Sequence, residues 1–476
     1  MQEDAKEGIM DILLIAPASG YWHHVGHRKF FNGKTFRFSM LSLLAVAADS
    51  PSNVNIRIID EQVDEIPWDD SFDLIGITCM TAAAPRAYEI AGYFRNRSIP
   101  VVLGGMHPTF CPDEASRHAD AIVLGEAEGI WSDVVTDVRN LCLKPIYSHT
   151  HLPALKGLRH PPRHFLTGKN YGTIHAVQAT RGCPHQCDFC SVSAFHQATQ
   201  RKRPIKEVIA EITSIPSRFF MFIDDNLTAD KEYASQLFRA LIPLRKLWVT
   251  QTTMAIADDV RLVHLAAKAG CVGVFVGIET FSEQNLKVVN KEFNRVEKYQ
   301  EAIATLHSCG IGVEAGIVLG FDHDDSHVFQ RTLKVMDELK VDAAQISIFT
   351  PLPGTPRFEA IKNRIIDFDW SNYDFHHAVF RPTNMSADDL KDGHDWITNR
   401  FYSLRRIMLR AWRHIWRPRG LSTLLFFLSV NLAYYGRVRV WKIKGRNPAG
   451  FKKTGQQPRN NTLIDELGGL GYNGLQ

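Results

Sequence analysis

Cysteine, long apolar runs and, in one stretch, acidic residues are what this sequence has little of. Eight cysteines in 476 residues are far too few for a disulfide scaffold. The longest uncharged run, Gly420–Gly436, would reach about 25 Å as a helix. That falls short of the roughly 30 Å hydrocarbon core, so no spanning helix is expected. The start, MQEDAKEGIM, is acidic and polar, and the apolar run at 12–16 is too short for a secretory leader. A cytoplasmic protein is therefore expected. No short-period repeat or low-complexity tract appears. Residues 400–446 hold twelve Lys/Arg and no Asp or Glu, so the overall +4 leaves −8 for the rest. A mildly acidic body thus carries a basic C-terminal segment. With 45% hydrophobic and 22% charged residues, a disordered, collagen-like or polytopic membrane chain is excluded.

What is present is a double series of strands and helices. Apolar strands at Ile12–Ile15, Ile56–Ile59, Asp73–Cys79, Val101–Leu103 and Ala121–Leu124 alternate with helical patterns at Met40–Ala48 and Ala84–Arg95. This predicts an α/β domain over 9–150, a Rossmann-like, doubly wound parallel sheet, with ligands at the carboxyl ends of its strands. A polar, proline-containing linker is expected over 151–172. A second series follows over 173–360, with strands at Thr173–Gln178, Phe219–Ile223, Leu247–Thr252, Val272–Ile278, Val313–Leu319 and Ala344–Phe349. Six strands with intervening helices fit an open or partial (β/α)6 barrel. A mainly helical region over 361–446 and a poorly ordered tail over 447–476 complete the expectation.

The strongest chemical signal is Arg181-Gly-Cys-Pro-His-Gln-Cys-Asp-Phe-Cys190. Cys183, Cys187 and Cys190, spaced C-x3-C-x2-C directly after a predicted strand, can hold three corners of an iron–sulfur cluster from one loop. The fourth iron, without a cysteine, would be open to a substrate or cofactor. A zinc knuckle is the competing reading, but zinc normally takes a fourth Cys or His, and His185 lies too close within the loop.

These residues resemble the radical S-adenosylmethionine (SAM) superfamily, over about residues 173–360. The resemblance implies a 4Fe-4S cluster on the three cysteines, SAM on the unique iron, and an external one-electron reductant. Phe189, just before the third cysteine, would lie near the adenine. Asp224, Asp225 and Asn226 end the second strand, where the family places groups for the methionine amino group; its usual Gly-Gly-Glu is missing. Glu279 ends the fourth strand, facing ribose hydroxyls, and Gly316 and Gly320 match the fifth-strand glycine motif. Thr350-Pro-Leu-Pro-Gly-Thr-Pro356 resembles the branch containing the anaerobic Mg-protoporphyrin cyclase. Without the cysteines, a carboxylate ending a strand would read equally well as a helix cap.

The N-terminal domain resembles the cobalamin-binding domain that precedes the barrel in many enzymes of this branch. Thr78, Gly104, Gly105, His107, Gly125 and Glu126 carry the likeness, and would line a groove for the cofactor's nucleotide tail. No Asp-x-His-x-x-Gly motif supplies a lower axial histidine. A sheet that only scaffolds is the alternative. His23, His24 and His27 cluster in the first loop and read as solvated or structurally satisfied, with a substrate-lining or cobalt-ligand role as the alternative. Cys79, Cys111 and Cys142 raise the idea of a second cluster, as in methylthiotransferases; they read instead as buried small hydrophobes.

In Arg400–Arg417 a helical period places Phe401, Leu404, Met408, Trp412 and Ile415 on one face and Arg406, Arg410, Arg413 and Arg417 opposite. With the apolar run behind it, 400–436 suggests peripheral contact with an anionic membrane on its inner face. Packing on the acidic body is the alternative, and nucleic acid a weaker third reading. The resemblance implies a cobalamin-dependent radical enzyme that methylates an unactivated carbon, with a hydrophobic small molecule or lipid as substrate. An oxidative cyclase without methyl transfer and a non-catalytic iron–sulfur or cobalamin-binding regulator are the alternatives.

Overall fold

In the computed structural model the described residues are 8–19, 35–38, 40–173 and 175–444. The first-loop histidines and the tail from Asn447 lie outside them. The first sheet has six strands: β1 (Met10–Ala16), β2 (Val54–Asp60), β3 (Leu74–Thr78), β4 (Val101–Gly104), β5 (Ala121–Leu124) and β6 (Ile146–Ser148). Their order is β2-β1-β3-β4-β5-β6, all parallel. Both faces are covered, as the unbroken apolar strands require. Ile12, Leu14 and Val102 pack with Trp131 on one side; Leu13, Ile15 and Ile75 pack with Phe94 on the other.

The second sheet comprises β7 (Ala176–Val177), β8 (Phe219–Phe222), β9 (Leu247–Thr252), β10 (Cys271–Glu279), β11 (Gly312–Leu319) and β12 (Ala343–Ile348). It too is parallel, in the order β12-β11-β10-β9-β8-β7. Residues such as Phe220, Val276 and Ile317 alternate onto the outer helices and form the largest core. Both sheets belong to one compact unit.

Three expectations need correcting. The first barrel strand, expected from Thr173 to Gln178, shrinks to Ala176–Val177, because Ala179 and Thr180 turn their N–H groups onto the Asp224 carboxylate. The linker is not featureless: Tyr171–Thr173, at its end, pairs in parallel with Thr35–Phe38, a strand the hydropathy did not signal. The basic amphipathic helix begins at Leu404, not Arg400, because one helix closes at Phe401 and the next runs Leu404–Ile415.

That last helix also faces the opposite way from a membrane-bound arginine stripe. Arg406 pairs with Asp337 (2.9 Å) and Arg417 with Asp342 (2.8 Å). Arg410 is buried and donates to Asn431 Oδ1 and the Phe401 carbonyl. Met408, Trp412, Ile415 and Trp416 are left exposed. Phe401 is buried and belongs to the preceding helix. The final helix, Gly420–Lys444, lays Phe426, Phe427 and Val430 across the inner side of the second sheet, where Gly273 and Gly312 leave room for the Phe427 ring.

Candidate active site

The cysteine loop starts at Gly182, whose φ of +84 and tight approach to the Thr199 carbonyl leave no space for a Cβ. The loop is fastened on several sides. Asp224 accepts from the N–H of Ala179 (3.1 Å) and from the hydroxyl (2.7 Å) and N–H of Thr180. Asp225 accepts from the Gly182 N–H at 2.9 Å. Arg357, just after the Thr-Pro-Leu-Pro-Gly-Thr-Pro segment, pairs with Asp188 at 2.6 Å. Asn290 donates to the Gln186 carbonyl at 2.7 Å, and the His185 ring stacks on Phe293.

Cys187 is buried, and Cys183 and Cys190 are half-buried. Burial pushes the Cys187 thiol up to about 12, against the pull of Lys291. Thiolates in such a place call for the charge of a metal. Among the described residues no three His, Cys, Asp or Glu are arranged to hold one metal ion.

The strand ends beside the loop divide into supports and free groups. Asp224 is wholly buried, its pKa raised to about 7 by burial, and its oxygens are engaged by the loop's entry. Asp225 is engaged likewise. Asn226 differs: its Nδ2 lies 3.8 Å from Cys183 Sγ, and its Oδ1 is buried with no partner among the described residues. Of the three strand-end groups it is the one with an acceptor left over. Glu279 ends β10 with φ +63 and pairs at 2.5 Å with Lys291. Lys291 is itself buried, close to the Phe189 and Phe293 rings. Nothing in the run Asn290-Lys-Glu-Phe-Asn294 announces Lys291; only the fold brings it back to Glu279. Phe189 meets the Phe321 ring edge-on. Gly316 faces the Phe275 ring, and Gly320 turns the chain against Leu390.

At the carboxyl edge of the first sheet, Thr78, Gly104, Gly105 and Gly125 line a cavity of about 560 Å³. Gly105 has φ +106, and a Cβ there would lie 2.9 Å from the Cys79 carbonyl oxygen. Thr109 binds the two glycine turns together, donating to the Gly105 carbonyl (2.7 Å) and accepting from the Gly125 N–H (2.9 Å). Bare backbone along this edge fits a corrinoid. His107 does not join it. It is fully buried, 3.1 Å from the Tyr88 hydroxyl and 3.5 Å from Glu114. Cys79 is buried, Cys111 half-buried and Cys142 exposed.

Glu126 reaches across the same cavity to the cluster loop. Its carboxylate meets Arg181 (2.7 Å), Arg201 and His196 (3.3 Å). Burial disfavours the charge, but His196, Arg201 and Arg181 together hold the carboxyl well below the usual range. Glu128 takes the other arm of Arg181. Glu126 therefore acts as a latch between the two sheets. The far wall of the cavity is supplied by Gln178, Ile223, Asp374 and Phe375.

A three-cysteine loop at the mouth of one parallel sheet, facing a glycine-edged groove on another, defines a radical enzyme with two cofactor sites. Comparison with known proteins agrees. Residues 177–336 match the radical SAM superfamily and residues 43–135 the B12 binding domain. The chain is 30% identical to bacteriochlorophyllide d C-12(1)-methyltransferase of Chlorobaculum tepidum, over 78% of this chain and 84% of that one. It is 28% identical to the anaerobic magnesium-protoporphyrin IX monomethyl ester cyclase of Cereibacter sphaeroides, over 66% of this chain and 56% of that one. The fold resembles the cobalamin-dependent S-adenosylmethionine radical enzyme OxsB, with a TM-score of 0.64 and 14% identity, covering 90% of this chain and 72% of that one. The chain belongs to the radical SAM superfamily, in the branch that carries a B12-binding domain. It is an enzyme of the methyltransferase type, with a 4Fe-4S cluster, SAM and cobalamin as cofactors.

Proposed function

We propose that this enzyme methylates an unactivated carbon of an apolar, ring-bearing molecule held between the two sheets, a chlorin-type tetrapyrrole of the kind named for the Chlorobaculum relative. The carrying observation is the shared cavity: Thr78 and Gly105 on one wall, Gln178, Ile223 and Phe375 on the other. A molecule there touches both cofactor edges at once. When bound, the cluster and SAM supply a 5′-deoxyadenosyl radical after reduction by an external one-electron donor, and methylcobalamin supplies the methyl group. Cys183, Cys187 and Cys190 would hold the cluster, Asn226 would accept from the SAM amino group, and the Glu279–Lys291 pair would offer partners to the ribose and carboxylate. Thr78 and the Gly104-Gly105 turn would cradle the corrinoid. The Glu126–Arg181 latch keeps the two edges in register and helps exclude water.

A second reading, oxidative cyclisation without methyl transfer, draws support from the cyclase likeness and the Thr350–Pro356 segment. Anaerobic incubation with methyl-labelled SAM, a reductant and bacteriochlorophyllide d separates the two. Methylation puts label into the pigment; cyclisation consumes SAM and leaves the pigment unlabelled.

The enzyme also works at a membrane surface. Among the described residues no helix is long and apolar enough to cross a membrane. Trp412, Trp416, Leu421 and Leu425 stand 61–74% exposed in a stretch free of acidic residues, which supports shallow insertion of this face beside anionic headgroups.

A further inference from the structure

The segment Tyr373–His377 lies outside the residues that match either family, yet it borders the shared cavity. Asp374 is 5% exposed. Its Oδ1 accepts from the N–H of His376 (2.9 Å), the N–H of His377 (3.2 Å) and His377 Nδ1 (3.0 Å). Three donors thus crowd one oxygen. The other, Oδ2, is buried with no partner among the described residues. A buried carboxylate oxygen without a donor is costly, and Asp374 borders the cavity.

Phe375, its neighbour, has φ +68. A bulky side chain in the left-handed region is strained, and such strain persists where the surroundings fix it. Here the Ile348 N–H donates to the Phe375 carbonyl at 2.8 Å. The ring is 41% exposed and lines the same cavity. A carboxylate with an unsatisfied oxygen and an aromatic ring are therefore held side by side, at a cost to folding, in the wall of that cavity.

We infer that Asp374 and Phe375 recognise the substrate: Asp374 Oδ2 accepts a hydrogen bond from one of its O–H or N–H groups, and the Phe375 ring packs on its apolar ring system. This rests on the methylation reading and narrows it to ring-bearing apolar molecules that carry a hydrogen-bond donor. A corrin amide could present the same N–H chemistry, and the experiment separates the two sources.

The probe is an anaerobic organic extract of the protein's own source cells, titrated against cobalamin-loaded enzyme with methyl-labelled SAM and reductant. Asp374→Asn keeps Oδ1 for the three local donors and replaces the free acceptor with a donor. The half-saturating amount of extract should rise about tenfold, with cobalamin retention equal to wild type. Phe375→Gly removes the ring and relieves the φ. It should melt no lower than wild type and still need several-fold more extract, whereas a packing role would lower the melting temperature. Unchanged half-saturation in both variants overturns the inference. Lost cobalamin in Asp374→Asn reassigns the donor to the corrin and overturns it too. If wild type cleaves SAM but labels nothing in the extract, methyl transfer itself fails, and this inference with it.

Discussion

Asn226 and Glu126 carry the residue-scale account. Asn226 has an unpartnered buried oxygen beside a cluster cysteine, while Asp224 and Asp225 spend theirs on the loop. Asn226→Ala should therefore still load iron but bind SAM about tenfold more weakly by anaerobic titration; Cys187→Ala should fail at iron loading itself. Normal SAM affinity in the Asn226 variant would return the role to the aspartates. Glu126 allows a test by pH. Its carboxyl sits below the usual range in the folded chain, so its contribution is present above the unfolded value of about 4.3. It is lost as pH falls further toward the lowered folded value. Glu126→Gln should destabilise the apoprotein by about 3 kcal/mol near neutral pH, and the gap to wild type should narrow below about pH 4. Denaturant unfolding across that range measures it; a gap independent of pH would mean the latch is not ionic. Glu126 was legible as a residue at a ligand-bearing strand end, but its partners were not. Arg181 and Arg201 lie 55 and 75 positions away, and no local spacing encodes that meeting.

At the scale of elements, strands and cysteine loop were readable because their signals are local. Runs such as Leu247–Thr252 and Ala121–Leu124 fold as their hydropathy suggests. Periodicity also gave the two faces of the helix Leu404–Ile415, but not which one would be buried. That was decided by Asp337, Asp342 and Asn431, acceptors supplied by distant elements. Membrane contact is therefore tested on the exposed apolar face. Trp412→Ser with Trp416→Ser should abolish sedimentation with anionic vesicles, because the exposed rings supply the insertion. Equal sedimentation of that variant and wild type would refute membrane contact through this face. The final helix makes a separate prediction. Phe427 is 1% exposed and fills the space above Gly273 and Gly312. Phe427→Ala should cost about 3–5 kcal/mol in denaturant unfolding, and a loss under about 1 kcal/mol would mean the helix is not a structural part of the barrel.

For the whole molecule, two parallel sheets meet with their carboxyl edges across one cavity, and Glu126, Arg181 and Arg201 tie them there. Each sheet is a common scaffold, and function follows from what the edges bring together. The sequence showed both edges, because glycines and cysteines mark strand ends. It did not show that Asp374 and Phe375, from a segment with no motif, complete the wall between them. The central claim is transfer of a methyl group from SAM, through that cavity, to a carbon of an apolar ring-bearing substrate. The most direct measurement is product analysis after anaerobic reaction with trideuteromethyl-labelled SAM, hydroxocobalamin, reductant and bacteriochlorophyllide d. The account predicts a pigment carrying the intact labelled methyl, with 5′-deoxyadenosine and S-adenosylhomocysteine formed in equal amounts. Formation of 5′-deoxyadenosine with an altered but unlabelled pigment would contradict it.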